Sequence, residues 1–282
     1  MHGHLGDAPF DYLSFFQQVS LVPGDSRILV TEDRIVAIPH LEVDEDDARV
    51  RLAAYEGSRG QNPLIFNTTD ASERIQQLDR GEIVATKTHA LIDISGRIAI
   101  VEYNHRGAKA VDIADVVERS AQTLPAYASA TFALTPVVDM RFLEAIELFE
   151  RIQLARIRIV RPNLDWTDHY NRLTEIASDS DARTVAIEAT AKRNASLSRN
   201  NGVIQLIKGV LGQRFAGVKS ALLTGVKPGE SSPTSVSLRD HTEHQRTPVK
   251  LTNEGHVEDE DIDDKLAEYL NERLAEAPAE EA

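Results

Sequence analysis

The lysines and arginines of this chain are the residues whose types and spacing speak most directly to chemistry. Between Ala155 and Arg161 basic and apolar residues alternate, Arg156 and Arg158 with Ile157 and Ile159. Successive side chains of a strand point to opposite faces, so the pattern predicts both guanidiniums on one face of a sheet. Lys192, Arg193 and Arg199 come next in a linker-like stretch, Lys208 and Arg214 in a helical one, then Lys219 and Lys227. Cations with few acids beside them neutralise phosphates by releasing condensed counterions, and this needs no reading of bases. The competing reading is an ordinary solvated surface. No aromatic platform lies near these positions, so selective recognition of single strands by stacking is not expected. The contact expected of Arg156, Arg158, Lys192, Arg193, Arg199, Lys208, Arg214 and Lys219 is with phosphates of a nucleic-acid backbone.

Carboxylates and histidines offer a second chemistry. Glu102 and Asp112 flank Tyr103-Asn104-His105-Arg106, a polar cluster after a buried-looking strand. A nuclease or other hydrolase would use such acids; the plainer reading is a strand-end loop that caps the next helix. His241-Thr242-Glu243-His244 places two imidazoles and a carboxylate at zinc-ligand spacing, but in a polar, turn-rich segment between Pro233 and Pro248 that reads as a surface loop. His2 and His4 read as flexible N-terminal residues. No phosphate-binding loop, dinucleotide fingerprint, H-E-x-x-H or G-x-S-x-G is present. Absence of cysteine excludes disulfides, thiolate zinc sites, iron–sulfur clusters and a cysteine nucleophile. No catalytic residue, metal or cofactor is therefore expected.

The charge is unevenly distributed along the 282 residues, whose net value is −14. Residues 181–250 hold 11 Lys and Arg against 5 Asp and Glu, whereas residues 258–282 hold 2 against 11. A basic third quarter and a very acidic end thus share one chain, and a tethered acidic segment competes with DNA for a basic face at high effective concentration. No run of 18 apolar residues occurs, and the N-terminus lacks the basic and apolar regions of a secretory signal, so a cytoplasmic protein is expected.

The positioning elements are read from periodicity. Residues 10–22 suit an opening strand or helix, and Arg27–Ile38 two short strands around a turn at Glu32-Asp33. Asp44–Asp47 and Glu56–Asn62 read as solvated loops, and Asp70–Leu78 as a short helix. Thr86–Ile94 and Arg97–Tyr103 read as strands joined by a two-residue hairpin at Ser95-Gly96. Val111–Ser120 is helical, and Thr123–Ser129, with Pro125, marks a domain crossing. Beyond it, Thr131–Val138, Ala155–Val160, Thr184–Thr190, Val218–Val226 and Val236–Leu238 read as strands, and Thr247–Thr252 as a possible further one. Met140–Ile152 with Asp139 as N-cap, Asp165–Ala177 and Val203–Phe215 read as helices. The expected fold is α/β (α+β), two lobes of mixed sheets with helices packed on them. The boundaries are 1–125, 126–254 with the basic segment, and an acidic C-terminal helix and tail over 255–282. Ile262, Leu266, Tyr269-Leu270 and Leu274 form the stripe by which that helix docks.

With Arg97–Glu118 in view, the chain resembles the RexA-like phage-exclusion proteins of temperate phages. The hairpin ends in Ile98-Ala99-Ile100-Val101-Glu102-Tyr103, Gly107 comes after it, and a helix opens with Asp112-Ile113-Ala114-Asp115. Element order over residues 25–250 is similar as well. The resemblance implies an RdgC-like, two-domain fold and a homodimer that binds double-stranded DNA without sequence preference. It also implies a prophage-encoded role in phage exclusion and antiviral defence, beside a membrane-embedded RexB-like partner, without enzymatic activity. Two other readings stand beside it: a nuclease-like abortive-infection effector using Glu102 and Asp112, and a protein-interaction module.

Overall fold

A computed structural model describes residues 1–5, 10–60, 62–137, 141–160, 180, 182, 184–211 and 218–275. The chain is a mixed α/β protein with helices packed on antiparallel sheets. It divides into two compact units, each made of two stretches of chain. Asp11–Phe132 and Thr247–Ala282 form a five-stranded unit; Met1–Phe10 and Ala133–Arg246 form a four-stranded one. No described helix is long and apolar enough to cross a membrane.

In the four-stranded unit, β1 (His2–His4) opens the chain. His2 is buried and its Nε2 lies 3.0 Å from Thr135 Oγ1, so this residue is fixed rather than flexible. In the five-stranded unit, α1 (Tyr12–Leu21) starts where the Asp11 carboxylate accepts from the Ser14 main-chain N–H at 3.0 Å. The sheet is built from β2 (Ile28–Val30), β3 (Arg34–Asp44), β4 (Arg49–Ser58), then, past a small hairpin of β5 (Leu64–Asn67) and β6 (Ser72–Ile75), β7 (Ala85–Asp93) and β8 (Ile98–Val101). Strand order is β2-β3-β4-β7-β8. α2 (Ala110–Gln122) packs with α1 on one face, around Phe15, Phe16, Ile113, Val117 and Phe132. Arg27 is buried there, and all its guanidinium nitrogens donate to main-chain carbonyls of Val19, Ser20, Val22, Ile38 and Pro39. It closes the orphan carbonyls at the end of α1 onto β3.

The fold departs from the sequence-based expectations at several elements. Residues 70–78 do not form a helix: they hold a turn, then β6, paired Leu64 to Ile75 and Asn67 to Ser72, then extended chain. Asp70 and Asn67 do accept local N–H groups, from Ser72 and Thr69, but in turns rather than at a helix start. β4 continues to Ser58 through a stretch expected to be a loop. The β7–β8 pairing aligns Asp93 with Ile98, so the connection has four residues, not two; Asp93 Oδ1 caps it by accepting from the Gly96 N–H. Gly107 lies where a Cβ would collide with Thr88 Oγ1, so only glycine lets the entry to α2 approach β7 this closely.

Past β9 (Thr131–Ala133), the four-stranded unit contains α3 (Arg141–Glu147), β10 (Arg151–Val160), β11 (Thr184–Thr190), α4 (Gly202–Leu211), β12 (Val218–Val226) and β13 (Thr234–Ser237). Its strand order is β11-β10-β12-β13, every pairing antiparallel. Phe142, Ile146 and Phe149 join Ile204, Ile207 and Leu211 against Ile152, Ile157 and Leu223 in one core. The expected strand Thr131–Val138 shortens to three residues. The helix expected to reach Ile152 stops at Glu147, because Glu150 N–H already donates to Val226 O and Ile152 belongs to β10. Thr247–Thr252 is no strand; only a bridge from Leu251 to Val257 forms. Asp139, the helix expected over Asp165–Ala177 and the end of the one expected to reach Phe215 lie outside the described residues.

The last helix, α5 (Asp259–Ala275), belongs to the five-stranded unit. Ile262, Leu266 and Leu270 are its buried stripe, and it packs on β7 and β8. Strand alternation puts Lys87 and His89 on that face, while Thr88 turns to Gly107 on the other.

Candidate nucleic-acid interface

The alternation read in β10 is present in the fold. Ala155, Ile157 and Ile159 are buried toward α3 and α4, and Arg156 and Arg158 are exposed on the opposite face. Arg156 pairs across the sheet with Glu188 and Leu222, Arg158 with Ala186 and Ser220. Thr224 and Ser235 continue the face, their hydroxyls 2.9 Å apart. The small neighbours Ala186 and Ser220 leave Arg158 exposed. A register shift between Arg158 and Ile159 sets Ile159 opposite Val218. That bulge leaves both Lys219 and Ser220 in solvent between the buried Val218 and Ala221.

The cations do not form one patch of equal members. Arg156 is ion-paired with Glu188. Arg199 and Lys208 converge on Glu147: Arg199 Nη1 lies 3.5 Å from Oε2, and Lys208 pairs with Oε1. The Lys208 hydrogen bond holds the Glu147 carboxyl below its ordinary range. Arg199, Lys208 and Arg156 were expected to have few acids nearby, and each has one. Among the described residues, no carboxylate lies within ion-pair distance of Arg158, Lys192, Arg193 or Lys219. Lys192 and Arg193 sit exposed in the turn after β11, where Asn194 takes a φ of 61° and Ala195 N–H closes on Lys192 O at 2.9 Å. Arg214 lies outside the described residues. The structure thus gathers Arg156, Arg158 and Lys219 on the sheet, and separates them from the Lys192-Arg193 turn and from the Glu147 cluster.

Glu102 and Asp112 do not converge. Asp112 Oδ2 accepts from the Lys109 N–H at 2.9 Å, at the start of α2, and from Arg34 Nη2 at 3.0 Å. Glu102 faces α5 instead, where its Oε2 is 2.9 Å from His89 Nδ1 and 3.0 Å from the His89 main-chain N. His241 and His244 also diverge: the first packs edge-on against Phe142, and the second turns back to Thr242 O at 3.0 Å. Among the described residues, no group of three or more His, Asp or Glu is arranged to hold a metal ion.

The acidic helix has partners within its own unit. Asp259 Oδ1 lies 3.0 Å from His89 Nε2, and Oδ2 pairs with Lys87. Asp261 accepts from Lys250 N–H at 2.8 Å, and Arg49 donates to Asn271 at 2.6 Å. Lys87, and after it His89, hold Asp259 below the ordinary carboxylate range. Sequence reasoning passed over this cluster. Its signal was the pair Lys87 and His89 at period-2 spacing inside a largely buried strand. Compared with known proteins, the chain matches no family model and no curated protein.

Proposed function

We propose that the protein binds double-stranded DNA without sequence preference, as a homodimer, in the manner of the phage-exclusion proteins that its element order resembles. The observation that carries this reading is the open face of the β11-β10-β12-β13 sheet. There Arg158 and Lys219 are exposed beside Ala186 and Ser220, with no carboxylate within ion-pair distance of either among the described residues. Each contact of a cation with a phosphate releases counterions and is blind to the base, so such a face supports backbone contact alone. Lys192 and Arg193 extend the reach beyond the sheet. Arg156, Arg199 and Lys208 contribute only when a phosphate displaces Glu188 or Glu147. A gel shift with unrelated duplexes at two salt concentrations tests this reading, and light scattering tests the dimer.

A second reading, a protein-interaction module, draws on a different observation. The β5–β6 hairpin leaves Leu64, Phe66 and Ile75 each about 60% exposed. A two-stranded hairpin is marginal in water by itself, and these side chains gain by meeting an apolar surface. A second copy of the chain is the partner this reading names, so it is compatible with the first.

A further inference from the structure

We infer that His89 is a pH-sensitive clamp that holds the first turn of α5 against the sheet through two carboxylates, Glu102 and Asp259. His89 is 5% exposed, and both of its ring nitrogens face carboxylate oxygens: Nδ1 to Glu102 at 2.9 Å and Nε2 to Asp259 at 3.0 Å. Carboxylates only accept, so both contacts are hydrogen bonds only when the ring carries both protons. A neutral ring has one N–H and one bare nitrogen, and the bare nitrogen then faces a negative oxygen.

The groups around the ring decide which contact yields. Glu102 lies just past β8 and is tied to His89 twice more, by its side chain to the His89 N–H and by its own N–H to the His89 carbonyl. Asp259 stands at the start of α5, its side chain 62% exposed, with Lys87 as a second partner. Asp263 faces the ring from the next turn of α5, and burial pushes its carboxyl up. Lys87 from β7 and Arg51 from β4 supply the nearby positive charge. On deprotonation the Nδ1–H stays with Glu102 and the bare Nε2 faces Asp259, so the helix end of the clamp opens. Ile262, Leu266 and Leu270 stay buried, and the body of α5 keeps its place.

Burial works against charge on His89, but the hydrogen bonds to Glu102 and Asp259 outweigh it and raise its pKa above the ordinary histidine value. A raised folded-state pKa means that the clamp is fully closed below the ordinary pKa and is lost as pH rises through the folded one. The device stands apart from the DNA-binding reading and fails or survives separately from it.

Imidazole nitrogen NMR on the full chain, with His89 identified by its loss in His89→Gln, tests the clamp together with amide exchange of Ile262 to Leu266. The expected result is a His89 ring that carries both N–H groups at the ordinary histidine pKa and loses one only above it. Exchange protection of those amides, corrected for the intrinsic rate, then falls as pH rises through the His89 transition. His89→Gln removes the pH dependence. Asp259→Asn, at an exposed side chain, lowers the His89 pKa. A His89 ring that titrates at or below the ordinary histidine pKa, pH-independent protection in the unaltered chain, or an Asp259→Asn variant that leaves the His89 titration in place would each overturn the clamp.

Discussion

Arg156 and Glu188 face each other across the β10–β11 pairing and are joined as an ion pair, while Arg158, two residues along the same strand, stands opposite Ala186. Two arginines equivalent in sequence therefore differ in what they offer a polyanion. Glu188→Gln frees Arg156 without altering the backbone, and duplex affinity should rise by roughly three- to fourfold at about 50 mM salt relative to 200 mM, the increment of one phosphate contact. A salt titration of both proteins measures this. An unchanged slope of log affinity against log salt would show that Arg156 does not contact phosphate.

Ile157 and Arg158 are neighbours on opposite faces of β10, one fully buried and one in solvent. Ile157→Val should cost about 0.5–1.5 kcal/mol of stability and Ile157→Ala about 2–5. Arg158→Ala should stay within about 0.5 kcal/mol. Urea unfolding followed on the four-stranded unit separates them; equal costs would contradict the assignment of faces.

This alternation was legible in the sequence because strand geometry has a period of two that few residues suffice to show. Periodicity also showed α2 and the strands β7 and β8, whereas residues 10–22 suited a strand or a helix alike and the turn between β7 and β8 was read as two residues instead of four. The β5–β6 hairpin was not legible. Asp70 and Asn67 are turn formers and helix N-caps alike, and only pairing with Leu64–Asn67, outside the local window, decides between the two. The end of α3 was hidden for a related reason: Phe149 and Ile152 continue a helical apolar spacing, yet both are buried by packing that begins a strand. Partners of the basic residues were invisible because Glu147 lies 52 positions from Arg199 and 61 from Lys208. His89 met its two carboxylates across 13 and 170 positions, a distance that no motif spans.

Arg27 anchors α1 to β3 through main-chain carbonyls alone. Lysine cannot reproduce its planar fork, so Arg27→Lys should leave buried carbonyls without donors, at about 1–3 kcal/mol for each group left unsatisfied. Unfolding of the five-stranded unit should shift accordingly. A loss under about 1 kcal/mol would show that water replaces the guanidinium.

Asp11 caps α1 through Ser14, and its hydrogen bonds to the Ser14 side chain and main chain hold its pKa below the ordinary aspartate value. Asp11→Ala should cost about 1 kcal/mol at neutral pH. A depressed folded-state pKa gives a contribution that is complete above the unfolded value and is lost as pH falls through the folded one. The difference between the two proteins should therefore vanish in strong acid. A difference that persists there would assign the cost to packing rather than to the cap.

Duplex binding by the open sheet face is the central claim, and a gel shift of the full chain against the Arg158→Glu/Lys219→Glu variant tests it most directly. Two duplexes of unrelated sequence, at about 50 and 200 mM salt, give both the specificity and the salt slope. The prediction is equal affinity for the two duplexes, a uniform loss in the variant, and a slope flattened by about 0.9 for each phosphate contact removed. A variant that shifts both duplexes as well as the unaltered chain, or an unaltered chain that shifts neither at low salt, would contradict it.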